Sequence, residues 1–191
     1  GPFMLTGLLI DKLKESAPSR VIVLSSSAAQ IGSKDVVKYP LTDKSDFGKM
    51  RVYSETKFAN AVFAFELARR LQGSGVVVAA VHPGIVETEL SQSMMPGIFF
   101  ALVAAFKKTV PQGAATSVFC ATHPALVQPN GGSGGGFFED SNISKSPSSA
   151  ALSEKLGKRL WKKLEAVSGL SYLPVAEETA AEPEKEESSA T

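Results

Sequence analysis

Two short apolar runs constrain the fold of this chain more than any other feature. Residues 21–24 are all branched and apolar, and residues 76–81 form a second apolar run. A strand that is apolar on both faces is typical of a buried position in a parallel sheet. Between the runs, apolar side chains recur at helical spacing over residues 58–71, and Gly73 and Gly75 follow as helix-ending residues. This order of strand, helix and strand predicts an α/β chain with a parallel sheet.

Further helices are predicted on both sides of this unit. Helical spacing of apolar residues predicts helices over 3–14, 111–123 and 149–168, and turn-forming residues predict a long loop over 25–46. A short last strand is predicted at Phe137 and Phe138. The residues predicted to face inward from the last helix are Leu152, Leu156, Leu160, Trp161, Leu164 and Val167.

The helix that continues to residue 71 is apolar on most of its sides. A sheet can cover only one face of such a helix. The remaining face must meet either the helix over 3–14 or a second subunit. Monomer and oligomer both remain open at this point.

Tyr53 and Lys57 are spaced for chemistry. Residues four apart lie on one face of a helix, one turn from each other. An ammonium at that distance favours the ionised form of a phenol, which suits a group that must give and take protons near neutral pH. Because this spacing also occurs by chance in many helices, it needs support from the residues around it.

Three signals in order provide that support. A strand ends in Ser25, Ser26 and Ser27, then comes the Tyr53-to-Lys57 motif, and a second strand ends in residues 82–88, His-Pro-Gly-Ile-Val-Glu-Thr. Over residues 1–170 this order resembles the second half of the short-chain dehydrogenase/reductase family. Residues 67–71, 82–84 and 159–161 resemble its retinol-dehydrogenase-like branch.

The resemblance implies a role for each of these residues. Tyr53 would be the general acid or base, and Ser26, six residues before Gly32 as in the family pattern, would hydrogen-bond the substrate oxygen; Ser25 and Ser27 are the fallback choices. Lys57 would support the phenolate and bind the ribose of the nicotinamide. The cofactor-binding residues implied are Tyr53, Lys57, Pro83, Gly84, Val86 and Thr88, and no metal is implied.

The same resemblance implies what the 191 residues do not contain. The fold expected is the C-terminal portion of a Rossmann-like, doubly wound parallel sheet with flanking helices, without the N-terminal nucleotide-binding half. That half would carry the glycine-rich phosphate turn and the residue that discriminates NAD from NADP. The family's helix asparagine would fall about two residues before Gly1. We therefore expect a C-terminal part of a longer enzyme, with NADP slightly preferred over NAD because of the branch.

Two hypotheses for function follow. The first is an NAD(P)-dependent oxidoreductase that interconverts a lipophilic alcohol and its aldehyde or ketone, such as a retinoid, steroid or fatty aldehyde, and that is inactive as this truncated chain. The alternative is a non-catalytic remnant or interaction module derived from such an enzyme. An in-frame glycine-rich turn upstream would favour the first.

The apolar segment 94–106 is the main sequence feature relevant to the substrate. Its thirteen residues are too few to cross a bilayer, which takes roughly 20. By resemblance it would form a lid over a lipophilic substrate, whereas the alternatives are a packed helix or a helix on a membrane surface. We expect a cytoplasmic protein or one peripheral to an intracellular membrane, with homo-oligomer formation open.

Composition excludes several other classes. A net charge of +1 gives no electrostatic basis for nucleic-acid binding. The single cysteine, Cys120, rules out an intrachain disulfide, and neither it nor His123 has metal-ligand partners at useful spacing. His82 is predicted to be packed rather than catalytic, and the glycine-rich run 130–136 to be a loop rather than a phosphate cradle.

The end of the chain differs from the rest. Residues 176–191 contain six glutamates and one lysine, a net charge of −5. Low hydrophobicity and like charge predict disorder. The chain is therefore divided into one domain over 1–170 and an acidic tail over 171–191.

Overall fold

The computed structural model describes residues 1–37, 48–89, 107–126, 135–145 and 148–174. Its α-helices are α1 (Pro2–Glu15), α2 (Lys49–Arg70), α3 (Val110–Thr122) and α4 (Glu154–Ser168). Its strands are β1 (Ser19–Leu24), β2 (Val76–His82), β3 (Gly136–Glu139) and β4 (Asn142–Ser144). Single turns of 3-10 helix cover Ser27–Ile31, Lys34–Val37, Pro124–Leu126 and Ser149–Leu152.

The strands form one sheet in the order β1-β2-β3-β4. The first three are parallel, with Leu24 opposite Val81 and Val81 opposite Phe138. This arrangement confirms the predicted α/β class, a mostly parallel Rossmann-like sheet with flanking helices. The prediction that Phe137 and Phe138 form the last strand is wrong, because a turn through Asp140 and Ser141, both at positive φ, leads into the antiparallel strand β4.

Burial differs sharply between the two predicted strands. Every residue of β2 is buried, as the apolar run predicts, because β2 has a neighbour on each side. In β1 only Val23 is buried, and Leu24 is 50% exposed. The prediction of full burial is therefore wrong for β1, which in the described residues pairs with β2 alone.

Helix α2 is the centre of the larger apolar core. Its buried residues are Ser54, Glu55, Phe58, Ala61, Val62, Phe63, Ala64, Phe65, Glu66, Leu67 and Ala68. One of the predicted neighbours is present, since Phe3 of α1 meets Phe63 edge-on with ring centroids 5.9 Å apart. Trp161 of α4 stacks on Phe63 from another direction. Helices α1 and α4 thus share the cover of α2 within this chain.

The predicted helix over 149–168 is interrupted at Ser153. Its hydroxyl accepts a hydrogen bond from the backbone N–H of Leu156 and caps α4, which begins at Glu154. Leu152 and Val167, both predicted to face inward, are 50% and 73% exposed. Leu152 lies in the preceding 3-10 turn, so helical periodicity from α4 does not apply to it.

The predicted loop over 25–46 contains local structure. Two 3-10 turns, Ser27–Ile31 and Lys34–Val37, occupy its first part, while residues 38–47 lie outside the described residues. The same is true of the segment 94–106, of residues 130–134 in the glycine-rich run, and of the acidic tail from 175 onward. In the described parts of the chain, no helix combines the length and hydropathy needed to cross a bilayer.

Candidate active site

The candidate site lies at the carboxyl edge of the parallel strands. Beyond the last paired residues of β1 and β2, the N–H of Ser25 donates to the carbonyl of Val81 at 2.8 Å. Ser25 and Ser26 therefore emerge beside His82 and Pro83. In doubly wound sheets this edge is where ligands bind, because the loops that leave parallel strands gather there.

The turn of α2 that carries Lys57 is fastened to the end of β1. The Ser25 hydroxyl donates to the carbonyl of Lys57 at 2.8 Å, and the Lys57 ammonium donates to the carbonyl of Leu24 at 3.3 Å. Asn60, one turn further along α2, donates its amide to the same carbonyl at 2.9 Å. The sequence analysis missed Asn60, although its spacing of three residues from Lys57 places it on the same helix face.

Tyr53 and Lys57 meet as their spacing predicts. The Lys57 Nζ lies 5.6 Å from the centroid of the Tyr53 ring. Tyr53 is half-buried, so its phenol is accessible to a ligand. Burial lowers the pKa of Lys57 from its ordinary value, because the ammonium loses hydration.

The three candidate serines have different environments. Ser25 is buried, and its hydroxyl donates its hydrogen to the Lys57 carbonyl. Ser26 is also buried, but its oxygen accepts from the N–H of Ala28 as the cap of a 3-10 turn, a bond that does not use the hydroxyl hydrogen. Ser27 is exposed. These contacts favour Ser26 as a donor to a substrate oxygen.

In the turn after β2, the backbone of Gly84 lies close to the side chain of Lys108. Gly84 has a φ of +84°, which favours glycine, and a Cβ at this position would lie 2.7–2.8 Å from the Lys108 side chain. The Gly84 N–H donates to Nδ1 of His82 at 3.3 Å. Gly84 is thus required both by its conformation and by the lysine packed over it.

Val86 is held between α3 and a short bridge to Lys108. Gly113 of α3 leaves room for the Val86 side chain, since a Cβ on Gly113 would approach it to 2.3 Å. The Lys108 N–H donates to the carbonyl of Ile85, and the Glu87 N–H donates to the carbonyl of Lys108. Because this parallel bridge uses the groups of Ile85 and Glu87, the peptide groups of Val86 itself point the other way. They can therefore serve a ligand, while the side chain of Thr88 is half-buried two residues on.

His82 is buried, as predicted, but it is more than a packed side chain. Its Nε2 lies 3.7 Å from a carboxylate oxygen of Glu139. Burial lowers the pKa of His82, and this effect exceeds the opposing one from the negative charge of Glu139. Asp140, in the turn after β3, pairs with Lys108. The sequence analysis missed this polar cluster because it joins three separate parts of the chain.

The remaining polar candidates carry no site. Cys120 is buried against the sheet, and desolvation raises its pKa to about 11. Among the residues that the structure describes, no group of three or more His, Cys, Asp or Glu side chains could hold a metal ion.

A nicotinamide group fits the donors present at this edge. The Lys57 ammonium can reach hydroxyl oxygens, and the outward peptide groups of Val86 match the donor and acceptor of a carboxamide. No described strand leads through a glycine-rich turn into a helix, the feature that would hold a pyrophosphate. The site therefore suits the nicotinamide end of a dinucleotide.

Comparison with known proteins places the chain among related enzymes. The family model described as short chain dehydrogenase matches residues 1–97. Retinol dehydrogenase 14 of Homo sapiens is 37% identical over 175 residues, which are 89% of this chain and 50% of that protein. Retinol dehydrogenase 12 of Mus musculus is 40% identical over 162 residues, 84% of this chain and 49% of that protein.

A third relative, Dehydrogenase/reductase SDR family member 13 of Bos taurus, is 36% identical over 89% of this chain and 45% of its own length. The chain thus spans about half the length of the curated relatives it matches. The resemblance to the retinol-dehydrogenase-like branch is confirmed by these relatives. The matched family model, the parallel sheet and the motif order together show that this chain belongs to the short-chain dehydrogenase family.

Proposed function

We propose that this chain supplies the catalytic half of an NAD(P)-dependent oxidoreductase that interconverts a lipophilic alcohol and its aldehyde or ketone. One observation carries the proposal. The turn of α2 that bears Tyr53 and Lys57 is hydrogen-bonded to the end of β1, directly beside Ser26 and the Pro83-Gly84 turn. A phenol, an ammonium, a hydroxyl and a Pro-Gly turn near one sheet edge support the proposal.

Each side chain has a part in carbonyl reduction. The Ser26 hydroxyl donates to the carbonyl oxygen and stabilises the negative charge that develops there. The Tyr53 hydroxyl gives its proton to that oxygen, and in alcohol oxidation the phenolate takes a proton back. Lys57 stabilises the phenolate through its positive charge. The turn from Pro83 to Thr88 would orient the nicotinamide, which when bound would supply or accept the hydride.

The relatives' names support the substrate class. Two of them are named for retinol, an apolar alcohol, so we propose a retinoid as the first substrate to test, with steroids and fatty aldehydes next. An apolar substrate also supports peripheral contact with an intracellular membrane, where such molecules concentrate. We propose NADP before NAD as the cofactor, on the same resemblance.

The test replaces Tyr53 by Phe. The substitution is made in whichever form of the protein has measurable turnover. Loss of the hydroxyl removes the proton donor, so turnover of retinal should fall by several orders of magnitude, with little change in the unfolding midpoint. Lys57→Met should weaken cofactor binding as well as slow the reaction. Steady-state kinetics with varied cofactor separate the two effects.

Tyr172→Phe is the matched control. It makes the same chemical change at a buried tyrosine that packs on α1 and has no part in the proposed reaction, so turnover should be unchanged. Near-normal turnover in Tyr53→Phe would end the assignment. Unchanged cofactor affinity in Lys57→Met would remove its proposed ribose contact.

A further inference from the structure

Glu55 lies between Tyr53 and Lys57 in sequence but faces a different way. Residues two apart on a helix point about 200° apart, so Glu55 is directed away from the phenol. The residue is only 9% exposed. Both of its carboxylate oxygens accept from the backbone N–H of Ser33, each at 3.2 Å. A buried carboxylate is costly unless it is paired or hydrogen-bonded, and the hydrogen-bond donor seen here is the backbone N–H of residue 33.

The segment from Ser26 to Ser33 is a continuous chain of hydrogen bonds that ends at Glu55. Ala29 N–H donates to the carbonyl of Ser26, and Gly32 N–H donates to the carbonyl of Ala29. The next residue, Ser33, is the one that Glu55 binds. A shift of residue 33 would therefore reach Ser26 through this hydrogen-bonded 3-10 turn.

Gly32 brings this segment into direct contact with α2. A Cβ at residue 32 would lie 2.3 Å from the Cβ of Phe58 and 3.1 Å from the carbonyl oxygen of Ser54. The backbone of residue 32 therefore rests on the helix with no space for a side chain. The Glu55 carboxylate binds the following residue, directly beside this contact.

The serine segment is thus attached to α2 at both ends. At its start, the Ser25 hydroxyl donates to the Lys57 carbonyl, and at its far end Ser33 donates to Glu55. Both attachments are made to the two turns of α2 that carry Tyr53 and Lys57. Together with the contact of Gly32 on Phe58, these two attachments hold the segment on α2.

We propose that Glu55 is a positioning residue, which holds the Ser26 segment in register with Tyr53 by binding the backbone of Ser33. The inference rests on the proposed function, because it gives Glu55 a part in aligning two groups of that reaction. It also makes a claim about the structure alone, which can be tested without turnover.

The structural arm of the test measures amide hydrogen exchange in the 191-residue chain. Glu55→Leu removes the acceptor, so the Ser33 amide should exchange at least about tenfold faster relative to buried amides such as that of Val78. Glu55→Gln keeps one carbonyl acceptor and should lie between wild type and Glu55→Leu. Should Glu55→Leu fail to fold, Glu55→Gln provides the comparison.

The kinetic arm uses Glu66 as a matched control. Glu66 is a buried glutamate on the same helix, three turns away, where it pairs with Arg69 and Arg70. Glu66→Gln should lower the unfolding midpoint but leave Ser33 exchange and kcat unchanged. Glu55→Leu should lower kcat roughly 10- to 100-fold, the effect of a small misalignment, with the cofactor KM changed less than about twofold.

The outcomes separate the two proposals. Unchanged Ser33 exchange in Glu55→Leu, or a kcat no lower than in Glu66→Gln, would overturn the role of Glu55. Tyr53→Phe could keep its turnover while Glu55→Leu still speeds exchange of the Ser33 amide. That result would support the attachment of Ser33 by Glu55 and contradict the proposed reaction. Rescue of kcat in Glu55→Gln together with Ser33 protection would support both.

Discussion

At the scale of single residues, the protonation of His82 is coupled to the backbone of the turn after β2. Its Nδ1 accepts the Gly84 N–H, and only a neutral imidazole can do so. Burial is the main reason that its pKa lies below the ordinary value of 6.5. The charged groups that face the imidazole are Glu139 of β3, Asp140 after it, and Lys108, and the first two oppose the shift.

We therefore predict that acid weakens the fold through His82. The unfolded chain binds a proton near pH 6.5, whereas the folded chain binds it only at lower pH. The contribution of His82 is complete above pH 6.5 and is lost as the pH falls towards the folded pKa. Between pH 8 and 5, the free energy of unfolding of wild type should fall more than that of His82→Gln. An NMR titration midpoint of His82 above 6.5 would contradict the prediction.

At the scale of elements, the chain after α4 packs on α1 and is hydrogen-bonded to it. Gly169 ends α4 at a φ of +69°, and the Tyr172 hydroxyl then donates to the carbonyl of Phe3 at 2.8 Å. Gly7 allows this contact, since a Cβ there would lie 2.5 Å from the Tyr172 ring. Arg70 of α2 adds a second attachment by donating to the carbonyl of Leu173 at 2.7 Å. Tyr172 and Leu173 thus contact α1 and α2.

Tyr172→Phe should measure how much the hydrogen bond from Tyr172 to Phe3 contributes to stability. The ring remains and keeps its contacts with Phe3 and Trp161, at centroid distances of 4.7 and 4.9 Å. Loss of the buried hydroxyl should cost about 0.5–1.5 kcal/mol of unfolding free energy, the usual net value of one hydrogen bond. Ser171→Ala removes a hydrogen bond from an exposed neighbour and is the control. Equal effects of the two substitutions in denaturant titrations would mean that the hydrogen bond of Tyr172 stabilises the fold no more than that of Ser171.

At the scale of the whole molecule, the described sheet presents one side of β1 without a strand beside it. Leu24 is 50% exposed there, and Met4, Leu5, Leu8 and Leu9 of α1 are 44–69% exposed. An edge with apolar surface around it favours association with other chains. The described residues also lack a turn for the pyrophosphate of a dinucleotide.

We predict that the 191-residue chain binds NADH and NADPH only weakly, with Kd in the range of about 1 mM or above, because the described residues offer donors for the nicotinamide end but no turn for the pyrophosphate. Calorimetric titration with both nucleotides measures this. Sedimentation of the same sample should show self-association through the open edge. Micromolar binding by a monodisperse sample would contradict both expectations.

The elements whose signals are local could be predicted from the sequence alone. The run 76–81, the helix before it and the spacing of Tyr53 and Lys57 need only near neighbours in the chain, so β2, α2 and the approach of Lys57 to the Tyr53 ring followed directly. The motif order was sufficient for the family as well. A break at Ser153 and the extra strand β4 were missed, because a capping serine and a tight turn interrupt the periodic pattern on which such predictions depend.

Contacts between distant segments were decided only by the tertiary structure. Burial of β1 depends on which strands lie beside it, and its apolar sequence is the same whether one neighbour or two are present. The side chains of Asn60, Glu55 and His82 are hydrogen-bonded to backbone groups of Leu24, Ser33 and Gly84, respectively. These partners are set by the folded backbone. A polar side chain in a sequence gives no sign of its partner when that partner is a backbone group, because every residue type except proline provides the same peptide donor and acceptor.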